Sequence, residues 1–269
     1  MNPLTLGLSL VAVSVFAQTQ TATKPFEPTV GRPGKNVEWV PTPQAMVDKM
    51  LDLAKVTSQD YVIDLGSGDG RTVITAAARG ARAHGIEYDP DMVTLSEQNA
   101  AREGVSARAT FAKADLFESN FSQASVITMF LLPAINMQLR PQLLDLKPGT
   151  RIVSNTWDME DWQADEAADV GDRCAAWCRA FLWIVPAKVE GTWRLPQGEL
   201  ALKQRFQMVS GTLTNGSGTT PIGDAKLRGD QISFSAGGVQ YTGRVNGNAI
   251  EGTTSGRTST AWRATRAGA

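Results

Sequence analysis

The chain has 269 residues, 42% hydrophobic and 20% charged, with a formal net charge of −1. This composition excludes disorder and a many-span membrane protein, and the length favours one α/β domain with a smaller appended unit. A near-neutral balance without a clustered basic excess weighs against a nucleic-acid partner held through its phosphates.

Residues 4–16 (LTLGLSLVAVSVF) form an uncharged apolar run as long as a signal-peptide core and too short to span a bilayer comfortably. Val15 and Ala17 suit a small-x-small cleavage site, which makes residues 1–17 a signal peptide, although Met1-Asn2 brings no positive charge. An exported or periplasmic protein follows; a membrane anchor through this segment alone, or a cytoplasmic protein with a misassigned start, remains open. Residues 18–36, rich in Thr, Pro and Gly, lack a hydrophobic period and are expected to be a linker.

A first domain is expected over residues 37–187. Pro43 sits where a helix can start, with Thr42 as its cap, and Met46, Val47, Met50, Leu51 and Ala54 recur at helical spacing. The chain then alternates: strand 61–65, glycine turn, helix 71–78, strand 82–87, helix 90–103, strand 109–112, strand 126–132, helix 135–144 and strand 151–155. Such alternation predicts an α/β fold, a doubly wound Rossmann-like sheet with helices on both faces, because parallel strands need crossover connections. Residues 181–185 form a candidate last strand, with Pro186-Ala187 as hinge. Fourteen of the 25 glycines lie between Gly191 and Gly268, among β-rich pieces at 191–195, 200–207, 231–235, 239–245 and 261–264. With turn pairs such as Asn215-Gly216 and Asn246-Gly247, residues 188–269 are expected to be a small antiparallel all-β domain, a sandwich or barrel.

Chemistry concentrates where the first strand runs into glycines. In Val62 to Arg71 (VIDLGSGDGR), Gly66, Gly68 and Gly70 permit positive φ and close approach of backbone to ligand. A phosphate loop would offer a helix N-terminus and a lysine. Asp64 and Asp69 place negative charge there instead, which repels a pyrophosphate and suits a cationic, amino-acid-bearing nucleoside such as S-adenosylmethionine. About twenty residues on, Glu87 closes the next strand, placed to accept from a ribose diol. Asp115 follows a short strand as a candidate acceptor for an adenine amine, with Leu116 and Phe117 flanking the ring. An Asp in that position also serves commonly as a turn former.

VIDLGSGDGR, GIEYDPDMV (85–93), KADLF (113–117) and VITMFLLP (126–133) resemble class I, seven-β-strand, S-adenosylmethionine-dependent methyltransferases. With Val40-Pro41-Thr42-Pro43 they are similar to the mitochondrial-type protein-lysine methyltransferases and their bacterial relatives, over residues 37–162. The resemblance implies S-adenosyl-L-methionine as co-substrate, no metal, contacts at Asp64, Gly66, Gly68, Glu87 and Asp115, and a protein or small-amine methyl acceptor. Phe130-Leu131-Leu132-Pro133 departs from the Asn-Pro-Pro-Tyr pattern of enzymes that methylate planar amines, which argues against base-amine chemistry. Trp39, Pro41, Phe130 and Leu131 are candidates for an apolar acceptor channel, which favours a neutral lysine amine. Asp158 and Asp161 could orient a cationic acceptor, though acidic loop residues are more often simply solvated. His84, the one histidine, falls inside a strand and is expected to pack.

Cys174 and Cys178, four apart with no histidine near, do not make a zinc site; a disulfide and two semi-buried thiols both stay open. Two rival functions also remain: a protein that binds the cofactor without catalysis, and an exported ligand-binding protein using Trp193, Tyr241 and Trp262 of the β unit.

Overall fold

A computed structural model describes residues 26–171, 174–256 and 259–268; the signal-peptide segment lies outside them. Before the first helix the backbone turns back on itself. Strand β1 (Arg32–Pro33) pairs antiparallel with β2 (Glu38–Trp39), and Gly34 N donates to Val37 O at 3.0 Å to close the turn. Residues 32–36 of the expected linker therefore belong to a hairpin. Its side chains anchor it: Arg32 pairs with Asp89 at 2.7 Å and Asp91 at 2.9 Å.

Helix α1 (Gln44–Leu53) follows, with Pro43 rather than Thr42 at its N-cap and no side-chain cap bond. Thr42 instead offers its carbonyl to Arg71 Nη1 at 2.9 Å. The next elements run β3 (Tyr61–Leu65), α2 (Arg71–Ala78), β4 (Arg82–Glu87), α3 (Pro90–Arg102), β5 (Ala109–Lys113), β6 (Val126–Met129), α4 (Pro133–Leu144), β7 (Arg151–Asn155), β8 (Glu166–Asp169) and β9 (Arg179–Ile184). Pro90 and Pro133 start their helices where a missing N–H costs nothing. β6 stops at Met129, paired with Leu65 at the end of β3, rather than at the expected Leu132, and Phe130 to Leu132 lead into α4.

These strands form one sheet in the order β5-β4-β3-β6-β7-β9-β8, parallel from β5 to β7, with β9 antiparallel to β7 and to β8. The chain winds outward through β4 and β5, then returns across β3 to β6, leaving a crevice at the strand C-terminal ends beside β3. Successive residues serve opposite faces. Val62, Val126, Val153 and Leu182 pack under α1 and α2, while Ile63, Ile127, Ile152 and Trp183 pack under α4. Covering both faces turns the strands into near-continuous apolar runs, and each such side chain contributes about 1.5–3 kcal/mol.

After β9 the second sheet comprises β10 (Gly191–Leu195), β11 (Gly198–Arg205), β12 (Met208–Asn215), β13 (Gly218–Pro221), β14 (Gly223–Arg228), β15 (Gln231–Ala236), β16 (Val239–Asn246), β17 (Ala249–Ser255) and β18 (Thr260–Arg266). All pair antiparallel in the order β13-β12-β11-β10-β18-β17-β16-β15-β14. The two edge strands, β13 and β14, are joined through Ile222 alone, and β12 comes into contact with β14, so the unit is a single, nearly closed sheet. Leu200, Leu202, Ile232, Phe234, Ile250 and Trp262 fill its interior.

The two sheets touch through the β11–β12 turn, where residues expected as strand make the bend. Phe206, at φ 54°, stacks on buried Trp162 with ring centroids 5.8 Å apart. Gln207 Nε2 donates to Gln163 O at 2.7 Å, and Arg205 pairs with Asp161 at 2.8 Å.

Candidate functional site

At the C-terminal end of β3 the backbone takes three left-handed steps, Gly66 at φ 76°, Gly68 at 55° and Gly70 at 82°. Such values strain any residue with a Cβ, and here there is also no room for one. A Cβ on Gly68 would lie 2.5 Å from Trp39 Nε1, and one on Gly70 2.8 Å from the Phe111 ring. Gly66 N and Ser67 N donate to Ile86 O at 2.9 and 3.0 Å, holding the turn against β4. Glu87 completes the tie: its Oε2 accepts from Gly68 N at 2.9 Å, and its Oε1 from Tyr88 N and Asp89 N at 2.7 and 2.9 Å. A carboxylate has about four acceptor sites, so Glu87 keeps capacity for a ligand hydroxyl.

Asp64 is buried two residues before the turn's start, and Thr128, its neighbour on β6, donates to Oδ1 at 2.6 Å. Burial pushes its carboxyl up to about 7 despite that bond, and the charges of Glu87 and Asp69 add to the rise. No cation among the described residues pairs with it. A buried carboxylate without a counter-ion is costly, and a positively charged ligand group is what relieves it.

Asp69 is different. Arg71 grips it through Nε at 3.0 Å and Nη2 at 2.6 Å, so the negative charge expected to act on a ligand is largely satisfied inside the turn. Asp115 accepts from Phe117 N at 3.0 Å and forms an ion pair with Lys35 of the β1–β2 hairpin. That lysine holds its carboxyl below the usual range. A ligand amine reaching Asp115 competes with Lys35.

Asp64, Gly66, Gly68, Asp69, Glu87, Asp115 and Leu116 line one pocket with Trp39, Pro41, Phe130 and Leu131, and Arg32 to Val37 form its cover. Gly70 sits just below, as the N-cap of α2. Phe117, expected beside a ring, packs into the core under α4 instead. Asp158 lies outside the pocket and is exposed; its Oδ1 accepts from Glu160 N at 3.1 Å, the work of a turn former. Asp161 is likewise outside, paired with Arg140 and Arg205. His84 is half-buried on β4 with Nδ1 2.9 Å from Thr110 Oγ1, and burial lowers its pKa.

Sequence reasoning missed the hairpin cover and the aromatic side chains beyond Phe130. The Trp177 ring centroid lies 5.7 Å from that of Phe130 and 6.2 Å from that of Trp157, and Cys174 and Cys178 form a disulfide that closes the loop carrying Trp177. The cysteine spacing was the available signal. Among the described residues no group of three or more His, Cys, Asp or Glu is placed to hold a metal, and no helix is long and apolar enough to cross a membrane. The β unit's aromatics are mostly core: Trp193 is buried, Tyr241 stacks on Phe234 at 4.8 Å, and Trp262 Nε1 donates to Thr242 O at 2.9 Å.

Residues 64–166 match the family model described as the ANTKMT methyltransferase domain. The chain is 42% identical over 140 residues to a protein-lysine N-methyltransferase of Saccharolobus islandicus, covering 51% of this chain and 87% of that protein. It is 33% identical over 129 residues, 47% of its length, to the adenine nucleotide translocase lysine N-methyltransferase of Mus musculus, but spans only 56% of that relative. Among solved structures it resembles an RNA methyltransferase from Salinibacter ruber in complex with S-adenosyl-L-homocysteine, with TM-score 0.53 and 44% identity over 56% of this chain and 96% of that one.

Proposed function

Because the chain belongs to the protein-lysine N-methyltransferase family of S-adenosylmethionine-dependent methyltransferases, we propose that it methylates the ε-amino group of a lysine in a protein. The observation that carries the cofactor half of this reading is Asp64, a buried carboxylate with no cation of its own beneath a three-glycine turn. S-adenosylmethionine supplies a methyl group already activated on a sulfonium. Asp64 would hold its cationic amino-acid end, Glu87 the ribose hydroxyls, and Asp115 with Leu116 the base, once Asp115 releases Lys35.

With a good leaving group present, alignment and exclusion of water provide most of the remaining catalysis. Trp39, Pro41, Phe130 and Leu131 give the pocket an apolar wall. A lysine amine entering there is desolvated, which lowers its pKa and exposes the lone pair that attacks; no dedicated base is required. Two observations support a protein acceptor: relatives from Saccharolobus islandicus and from Mus musculus bear lysine methyltransferase names, and the net charge of −1 suits a phosphate-rich acceptor poorly.

The test is transfer of labelled methyl from S-adenosylmethionine into a protein extract and, separately, total RNA, with mass spectrometry locating the modified residue. Label on protein lysine supports the proposal. Label in RNA alone, as the name of the Salinibacter relative would have it, overturns the acceptor. Cofactor binding without transfer to either favours the non-catalytic reading. We also propose that the protein acts outside the cytoplasm: the apolar run at residues 4–16 and the Cys174–Cys178 disulfide both suit an oxidising compartment. Recovery of a full-length N-terminus from the cytoplasmic fraction would contradict this.

A further inference from the structure

Beyond the cofactor pocket, the aromatic wall begun by Phe130 continues toward solvent. Phe130, Trp157 and Trp177 come from the segments after β6, after β7 and between β8 and β9, which meet at one end of the sheet. Trp177 is 39% exposed, one of the few large apolar side chains left in solvent among the described residues. A buried indole pair needs no explanation beyond packing. An exposed one next to a ligand pocket does.

The backbone that aims these rings is held in unfavourable conformations. Thr156, a β-branched residue, has φ 66° and Trp177 has φ 59°. Such values persist only where the surroundings over-determine them, and they cluster at functional sites. Two restraints are visible. The Cys174–Cys178 disulfide closes the five-residue loop around Trp177, and Thr156 N donates to Arg179 O at 2.7 Å, stapling the loop after β7 to the start of β9. Exposed Asp158 and Glu160, one and three residues after Trp157, add negative charge at the rim.

We propose that Phe130, Trp157 and Trp177 are the acceptor-recognition surface, receiving a lysine side chain against their rings and holding its methylated ammonium by cation–π attraction, with the disulfide loop as the mount for Trp177. This rests on the lysine reading above. The aromatic faces grip an ammonium bearing methyl groups, which is weakly hydrated, better than they grip a phosphate or a neutral sugar. None of the three is a catalytic residue; they position the acceptor for the pocket beyond Phe130.

The test uses the whole protein saturated with S-adenosylhomocysteine. A peptide carrying one Nε-trimethyllysine, and the same peptide with alanine in that place, are titrated while tryptophan fluorescence is followed. Wild type binds the trimethyllysine peptide and not the alanine one. Trp177→Ala weakens binding about tenfold, Trp177→Phe restores most of it, and the Cys174→Ser/Cys178→Ser double variant behaves like Trp177→Ala. In every variant the dissociation constant for S-adenosylmethionine stays within about twofold, which excludes misfolding as the cause. Equal binding by wild type and Trp177→Ala, or no discrimination between the peptides, overturns the inference. Labelled-methyl transfer to protein extract by the same preparations separates the two readings: transfer to lysine with Trp177→Ala unchanged sinks only the aromatic surface, and no transfer by wild type sinks both.

Discussion

The two sheets of this molecule distribute their polar groups in opposite ways. The seven-stranded sheet is covered on both faces, so its chemistry is displaced to the strand ends, where Asp64 is left buried without a counter-charge. The nine-stranded sheet buries one face and spreads charge along the other in exposed pairs such as Arg244–Asp230 and Arg263–Glu251. Its charges neutralise one another at the surface, at little energetic consequence. A buried carboxylate without a counter-ion is what separates a ligand site from a scaffold here, and among the described residues only the first sheet has one converging with a strained glycine turn.

Asp64→Ala breaks that contrast most severely. Losing one partner of a buried charge pair costs roughly 3–5 kcal/mol, so S-adenosylmethionine affinity should fall at least about a hundredfold by calorimetry. Circular dichroism of the β-rich unit should not change.

The same carboxylate makes stability and binding respond to pH with opposite signs. Its ordinary value is 3.8 and its folded value about 7, so between pH about 4 and 7 the ligand-free protein holds a proton there that the unfolded chain has released. The stability from this group is complete below pH about 4 and is lost as pH rises to about 7, up to about 4 kcal/mol as a limit. Cofactor affinity should instead rise with pH, roughly tenfold per unit, and level off above about 7. Asp64→Asn should flatten both curves; denaturant melts and titrations from pH 5 to 8 check this.

Phe206→Ala sharpens the comparison at the seam. It removes the stack on Trp162 and the face that Arg140 covers at 5.4 Å, which should cost about 1.5–3 kcal/mol. Calorimetric unfolding should show the two sheets melting less cooperatively, with cofactor affinity unchanged. The smallest effect is expected for Lys35→Met. Freeing Asp115 from an exposed partner should tighten cofactor binding by roughly twofold, with little change in melting temperature.

The glycine turn was legible in the sequence because local rules specify it: a strand period, three glycines and a helix start fall within ten residues. Glu87 and Asp115 were legible from spacing, since Glu87 ends β4 and Asp115 follows β5, both parallel to β3. What escaped depends on contacts between distant residues. The hairpin at Arg32–Trp39 has two-residue strands in a Pro- and Gly-rich stretch with no hydrophobic period; it is pinned by ion pairs to Asp89, Asp91 and Asp115 that no local pattern announces. Asp69 is a local exception: its partner Arg71 stands only two residues on, but spacing alone does not show that the turn folds the guanidinium back onto the carboxylate. Asp158 attracted notice by its charge, while Trp157 beside it and Trp177, twenty residues later, meet only because β9 returns antiparallel to β7. In the β unit, alternation and turn residues gave the class. Closure into one sheet depends on β12 meeting β14, which alternation does not encode.

The central claim is that the turn after β3 binds S-adenosylmethionine through Asp64. Calorimetric titration of the whole protein at pH 8 tests it directly. One saturable site per chain in the wild type, with no measurable heat for Asp64→Ala at the same concentrations, is the predicted result; a wild type that does not bind, or an Asp64→Ala variant that binds equally well, would contradict it.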